Sequence, residues 1–290
     1  MRKSKVKYFL PLFFYFIVIY AGHSQEQQQE IGAAGLEKIL EETGEYCEKL
    51  KNMALDFVCQ ENIMEKTSEF GKRIVLTPGD RLRNSSSFED LKIIKTKKNS
   101  YIYDYQMIKK GDDFKEKRDL LLENGKKRNE KNVELKTLRM SSKFLVFGPV
   151  GFLSQSWQPN FVYEIIGSEK IGQMKAVVLK ASPKEFIEEN YSFGKIWVDE
   201  TDSSILQIEW EPISIKNFEE KVESPIGELR RKVSWIVSYD VVKNGIRFPS
   251  AQTIKETFIT KQGKEHIKYE AQYKYENYKF FTVETEVKFK

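Results

Sequence analysis

Cys47 and Cys59 lie in the stretch YCEKLKNMALDFVCQENI and are the two cysteines of the chain. Such a pair can bind metal, exchange electrons or form a staple. A structural zinc site takes four ligands, commonly Cys or His, and beyond residue 24 the chain supplies these two thiols and one imidazole, His266. A thioredoxin-like centre wants Cys-x-x-Cys. In an oxidising compartment the pair is expected to form a disulfide, with free buried thiols as the alternative.

The other reactive groups point away from catalysis. Any Ser-His-Asp or Cys-His system would have to draw on His266, which flanks the polar side of a strand near its tip and reads as a solvated side chain. Glu188 with Glu189 and Asp199 with Asp202 are paired carboxylates of the kind glycoside hydrolysis needs at a fixed separation. Asp199, in WVDETDSS, reads instead as a turn former that bonds nearby backbone. G-x-x-x-x-G-K-[ST], G-x-G-x-x-G and H-E-x-x-H do not occur, so the usual phosphate cradle and zinc hydrolase signatures are missing. The chain is expected not to be an enzyme, and no cofactor or metal is expected.

Leu36, Ile39, Leu40, Cys47, Leu50 and Met53 fall along one stripe of a helix. After Asn52 the period changes to two, with Leu55, Phe57 and Cys59 alternating with polar neighbours, which predicts a strand from about Ala54. On one continuous helix the two thiols would stand about 18 Å apart, whereas a disulfide needs its Cα atoms within roughly 7 Å. A turn near Asn52 removes that conflict.

Beyond residue 60 the sequence predicts antiparallel strands joined by turns. Tips fall at Gly111–Asp113, at Asn124–Gly125 and at Asn244–Gly245, the last a strong hairpin signal. Val233, Trp235, Val237, Tyr239 and Val241 alternate with Ser234, Ile236, Ser238 and Asp240; Ile267, Tyr269, Ala271, Tyr273 and Tyr275 alternate with polar residues, and so again do Phe281, Val283, Thr285, Val287 and Phe289. Such alternation means one buried and one wet face. The apolar segment KFLVFGPVGFLSQSW, residues 143–157, is read as a short broken helix or loop over the apolar face. Phe144, Phe147, Phe152, Leu153 and Trp157 would serve either as a mobile lid or as a plug.

The chain opens with Arg2, Lys3, Lys5 and Lys7 before an apolar run from Tyr8 to Ala21. That is the layout of a secretory signal peptide, expected over residues 1–24, with a flexible mature end over residues 25–35. Four of the 48 basic residues and none of the 43 acidic ones precede Gln25, so the formal charge of +5 shrinks to 44 against 43. No basic excess remains for nucleic acid. A periplasmic monomer is expected.

GKIWVDETDSSILQIEW, followed by VSWIVSYDVVKNGIRFPSAQTIKETF, resembles the periplasmic lipoprotein-carrier superfamily, LolA-like and related to the LppX type. The resemblance rests on Gly194, Ile196, Trp197, Val198 and Asp199, then Gly245, Arg247, Phe248 and Pro249, with the helix and LDFVCQENI at its start. It implies an α+β fold, mostly antiparallel β, in which one domain over residues 36–290 forms an incomplete, half-open β-barrel with an N-terminal helix and a short lid-like helix on its concave face. It also implies an apolar cavity for the acyl chains of lipids or lipoproteins, with Trp210, Trp235, Val237, Tyr239, Tyr269 and Tyr273 as candidate lining residues. Inner- or outer-membrane envelope proteins would be further partners. The sequence departs from the family in a charged connection at about 211–230 and in the cysteine pair. A rival expectation is a structural or interaction module whose barrel is filled by its own side chains.

Overall fold

The computed structural model describes residues 33–52, 56–76, 87–110, 113–137, 145–185, 193–212 and 219–281. The expected leader and the strand over residues 283–289 lie outside the described residues, as do Met53, Phe144, Glu188 and Glu189.

Helix α1 spans Ala33–Asn52. Fourteen strands follow: β1 (Asp56–Leu76), β2 (Ser87–Lys110), β3 (Asp113–Glu123), β4 (Lys126–Glu130), β5 (Phe161–Ile171), β6 (Met174–Pro183), β7 (Gly194–Asp199), β8 (Ile205–Trp210), β9 (Lys221–Ser224), β10 (Gly227–Ser238), β11 (Val241–Lys243), β12 (Ile246–Phe248), β13 (Ala251–Ile259) and β14 (Glu265–Phe281). Between β4 and β5 a 3-10 turn, Leu145–Phe147, leads into the short helix α2, Val150–Leu153. Among the described residues no helix is long and apolar enough to cross a membrane.

All pairings are antiparallel. The main sheet runs β4-β3-β2-β1-β14-β13-β10-β8-β7-β6-β5, with β9 beside β10, and it does not close: β4 and β5 remain its two edges. This is the expected half-open arrangement. Its concave face carries the inward rows of each strand, packed with α1, the 3-10 turn and α2 in one large core cluster. Two of the expected hairpin tips form: Asn124 and Gly125, and again Asn244 and Gly245, take the positive φ angles that a tight two-residue hairpin demands, while residues 111 and 112 of the third tip lie outside the described residues.

One predicted strand is interrupted. The run from Val233 to Val241 leaves the sheet after Ser238, and β11 pairs with β12 in a separate two-stranded ribbon. Tyr239 is the pivot: its N–H donates to the Leu206 carbonyl and its buried hydroxyl donates to the Leu145 carbonyl at 2.9 Å. The Leu206 bond carries the β8–β10 register one residue further, while the hydroxyl bond to Leu145 ties the end of β10 across the core where the chain turns away.

Candidate functional site

The wing formed by β7, β8 and β10 supplies the apolar part of the concave face. Trp210 and Trp235 face each other across the β8–β10 ladder, with ring centroids 5.4 Å apart. Phe152 of α2 meets Trp210 edge to face, also at 5.4 Å, and Phe147 packs on Phe114 at 4.6 Å. Trp210, Val237, Tyr239, Tyr269 and Tyr273 are all buried in the main core, and Trp235 packs against it partly buried. Of the residues expected over this face, Phe152 and Leu153 are fully buried, Phe147 is half-buried, and Trp157 is 37% exposed at the rim. The segment therefore fills the concavity in this structure.

The cover is fastened at its backbone. Tyr239 donates to the Leu145 carbonyl, Tyr163 donates to the Phe152 carbonyl, and Gln158 Nε2 bridges the Leu40 and Leu153 carbonyls at 2.7 and 2.8 Å. Close approach is built in. A Cβ on Gly148 would stand 2.7 Å from the Tyr239 hydroxyl, and one on Gly44 of α1 would stand 2.9 Å from Gln155 Cγ. Two polar atoms in this region are left over: Nε1 of Trp210 and Nε1 of Trp235 are buried with no hydrogen-bond partner among the described residues. Buried donors are normally satisfied, so an orphan of this kind asks for an explanation.

The opposite wing is different in chemistry. On β1, β2, β3 and β14 the inward rows hold buried carboxylates among tyrosines. Arg118 donates to Glu61 from Nε at 2.7 Å and from a terminal nitrogen at 3.3 Å, reaches Glu116 at 3.4 Å, and lies 4.4 Å from the centre of the Tyr105 ring. Tyr105 donates to Glu116 at 2.5 Å. Glu65 accepts from Asn99 at 2.7 Å, from Tyr269 at 3.2 Å and from Tyr101 at 3.3 Å. Burial lifts the Tyr105 hydroxyl well above its ordinary range, with the nearby Glu116 charge acting in the same sense. Among the described residues no group of three or more His, Cys, Asp or Glu is placed to hold a metal ion.

The residues expected to do chemistry are placed as follows. Cys47 and Cys59 are both buried and both free, so the expected disulfide is corrected. The turn after α1 does bring the chain back as a strand, but the two thiols keep different company: Cys47 is near Tyr163 of β5, while Cys59 is hydrogen-bonded with Tyr278 of β14. Desolvation pushes Cys47 up to about 12 and Cys59 higher still. His266 is likewise not a solvated residue. Its side chain is 10% exposed, sits edge-on to Phe70 and lies 3.2 Å from the Asp90 carboxylate, which also pairs with Lys264. Asp199 does shape its turn, accepting from the Thr201 N–H at 2.8 Å, and in addition meets Arg247.

Two clefts open on the sheet. One of about 490 Å³ lies between Met64, Lys66, Lys98, Asn124 and Gln272, with Glu65 and Asn99 in its wall. The other, of about 450 Å³, lies where β8 and β10 part company, between Lys195, Glu209, Trp210, Pro212, Lys232, Val233 and Lys255, with Glu211 and Glu265 also lining it.

No protein-family model matches the chain, and no curated protein matches it in sequence. Solved structures do. A DUF1329 family protein from Desulfovibrio piger is 10% identical with a TM-score of 0.34, over 85% of this chain and 95% of its own. A LolA superfamily protein from Nitrosomonas europaea is also 10% identical, with a TM-score of 0.31, over 84% of this chain and 94% of its own.

Proposed function

We propose that this is a non-enzymatic carrier of the bacterial envelope that holds the acyl chain of a lipid or lipoprotein between the concave face and its cover, working in the periplasm after its leader is removed. The observation that carries this reading is the Trp210–Trp235 pair under Phe152, an aromatic surface with two buried indole N–H groups that the protein leaves unsatisfied. An acyl chain needs apolar walls and only a few placed polar groups. The cover, tied mainly through backbone carbonyls, supplies side chains that a ligand chain would replace contact for contact. The resemblance of Gly194–Asp199 and Gly245–Pro249 to the carrier superfamily supports the same reading.

A second reading is favoured by the filled concavity. Met64, Ile93 and Ile94 are 62%, 51% and 64% exposed, and an interaction module would use exposed apolar side chains such as these against another envelope protein. Native mass spectrometry of protein purified from a bacterial periplasm, before and after lipid extraction, separates the two. A co-purifying acyl lipid that disappears in Trp235→Glu, with the variant still folded by circular dichroism, supports the carrier. A protein free of lipid, even after incubation with membranes, rejects it and leaves the module.

A further inference from the structure

The ladder between β8 and β10 is short. It runs for four pairs, from Trp210–Trp235 to Gln207–Ser238, although β10 continues back to Gly227. Next to Trp210 the strands separate, β10 turning instead to β9 through Leu229–Val222 and Arg230–Lys221. The cleft of about 450 Å³ occupies this fork. Its lining comes from both sides of the sheet: Trp210 and Val233 belong to the inward rows, while Lys195, Glu209, Ser234 and Lys255 alternate with them on the outward rows. The fork is thus a slot with lining from both faces of the sheet, and Trp210 stands in its wall.

The walls specify chemistry. The floor is apolar, from Trp210, Val233 and Pro212, and the rim carries charges of both signs. Lys195 and Glu209 meet each other at 3.3 Å. Around them stand Lys232 and Lys255 on one hand and Glu211 and Glu265 on the other. Trp210 is only 6% exposed and its Nε1–H has no acceptor among the described residues. A molecule complementary to this slot has an apolar chain, a carbonyl close to the start of that chain, and a head bearing both a negative and a positive group.

We infer that the slot is a lateral binding site for a zwitterionic, ester-linked amphiphile, with its head between the rim lysines and glutamates and its ester carbonyl accepting from Trp210 Nε1. This rests on the carrier reading and deepens it by naming the ligand class and its point of entry.

The test uses the protein with three single-chain probes of equal chain length at monomeric concentration, with tryptophan fluorescence as the readout: lysophosphatidylcholine, its ether-linked analogue, and the uncharged monoacylglycerol. The acyl probe is expected to bind about fivefold more tightly than the ether, the worth of one hydrogen bond, and Trp210→Phe abolishes that preference. The zwitterionic probe is expected to bind more tightly than the monoacylglycerol, and the surface variant Lys232→Ala/Lys255→Ala, which spares the core, removes that difference. Binding of all three probes with equal affinity overturns the slot while leaving the carrier standing. Binding of none overturns both.

Discussion

Arg247 donates to the Asp199 carboxylate at 3.4 Å and, through Nε, to the Ser204 hydroxyl at 2.6 Å, so the two sequence stretches that carry the family resemblance meet in space. The same spot anchors the helix. Tyr46 of α1 accepts from the Arg247 N–H at 3.1 Å, and Glu42 accepts from Ser203 at 2.7 Å in the turn between β7 and β8. The turn, the β11–β12 ribbon and α1 are fastened together by one guanidinium and its neighbours.

Arg247→Met leaves the Asp199 carboxylate buried without its counter-charge. Unfolding in urea is expected to show a loss of about 3 kcal/mol. Arg247→Lys recovers less than half of that, because an ammonium cannot serve Asp199 and Ser204 together as a planar fork does.

Glu61 and Arg118 form a buried ion pair, with side chains 0% and 8% exposed. Breaking it from one side, by Glu61→Leu or Arg118→Met, is expected to cost about 3–5 kcal/mol, whereas the double substitution Glu61→Leu/Arg118→Met costs less than either single change. A double-mutant cycle on denaturation midpoints checks the sign of the coupling. Additive losses would show the pair to be uncoupled.

Alkaline pH unfolds the protein in a defined window. Burial raises Tyr46 from 10.0 to about 12 and Cys47 from 9.0 to about 12, and lifts Cys59, Tyr239, Tyr275 and Tyr278 in the same direction. The native state holds these protons more tightly than the unfolded chain, so stability is complete below about pH 9 and falls as pH rises toward 12. Absorbance at the tyrosinate band should rise together with loss of circular dichroism. Below that window both thiols should resist Ellman's reagent until denaturant is added.

Gly194 opens β7 opposite Trp210, and a Cβ there would press directly on the Glu209 carbonyl oxygen. Backbone cannot swing aside as a side-chain tip can. Gly194→Ala is expected to destabilise by about 3 kcal/mol, near the top of the range for overpacking, with thermal unfolding as the measure. An unchanged midpoint would contradict the close approach.

The antiparallel frame was legible because Val233, Trp235 and Val237, or Tyr269, Ala271, Tyr273 and Tyr275, repeat at a period of two and end at Asn-Gly tips. The buried carboxylates were legible in principle. Glu61 and Glu65 share the parity of Phe57, Cys59 and Ile63, which sets them on the inner face; their charge argued for the surface, and their partners Arg118, Asn99 and Tyr269 sit far away in sequence. The disulfide failed for a related reason. The turn after α1 could be read from the change of period, but the direction in which each thiol points depends on which distant strand receives it, Tyr163 for one and Tyr278 for the other. The bend at Tyr239 comes where its hydroxyl reaches the Leu145 carbonyl, a partner that no local pattern announces. The fork beside Trp210 depends in turn on β9 taking over the pairing of β10.

The position of β14 has a temporal consequence. This strand, made after the other thirteen described strands, lies between β1 and β13, pairing Phe280 with Phe57 and Tyr273 with both Ile63 and Gln252. The β1–β4 wing and the wing from β13 through β10 to β5 meet through it, so the two join only once Glu265–Phe281 has emerged. Loop closure over more than two hundred residues must come before that reward, which makes for slow assembly from a long-lived open chain.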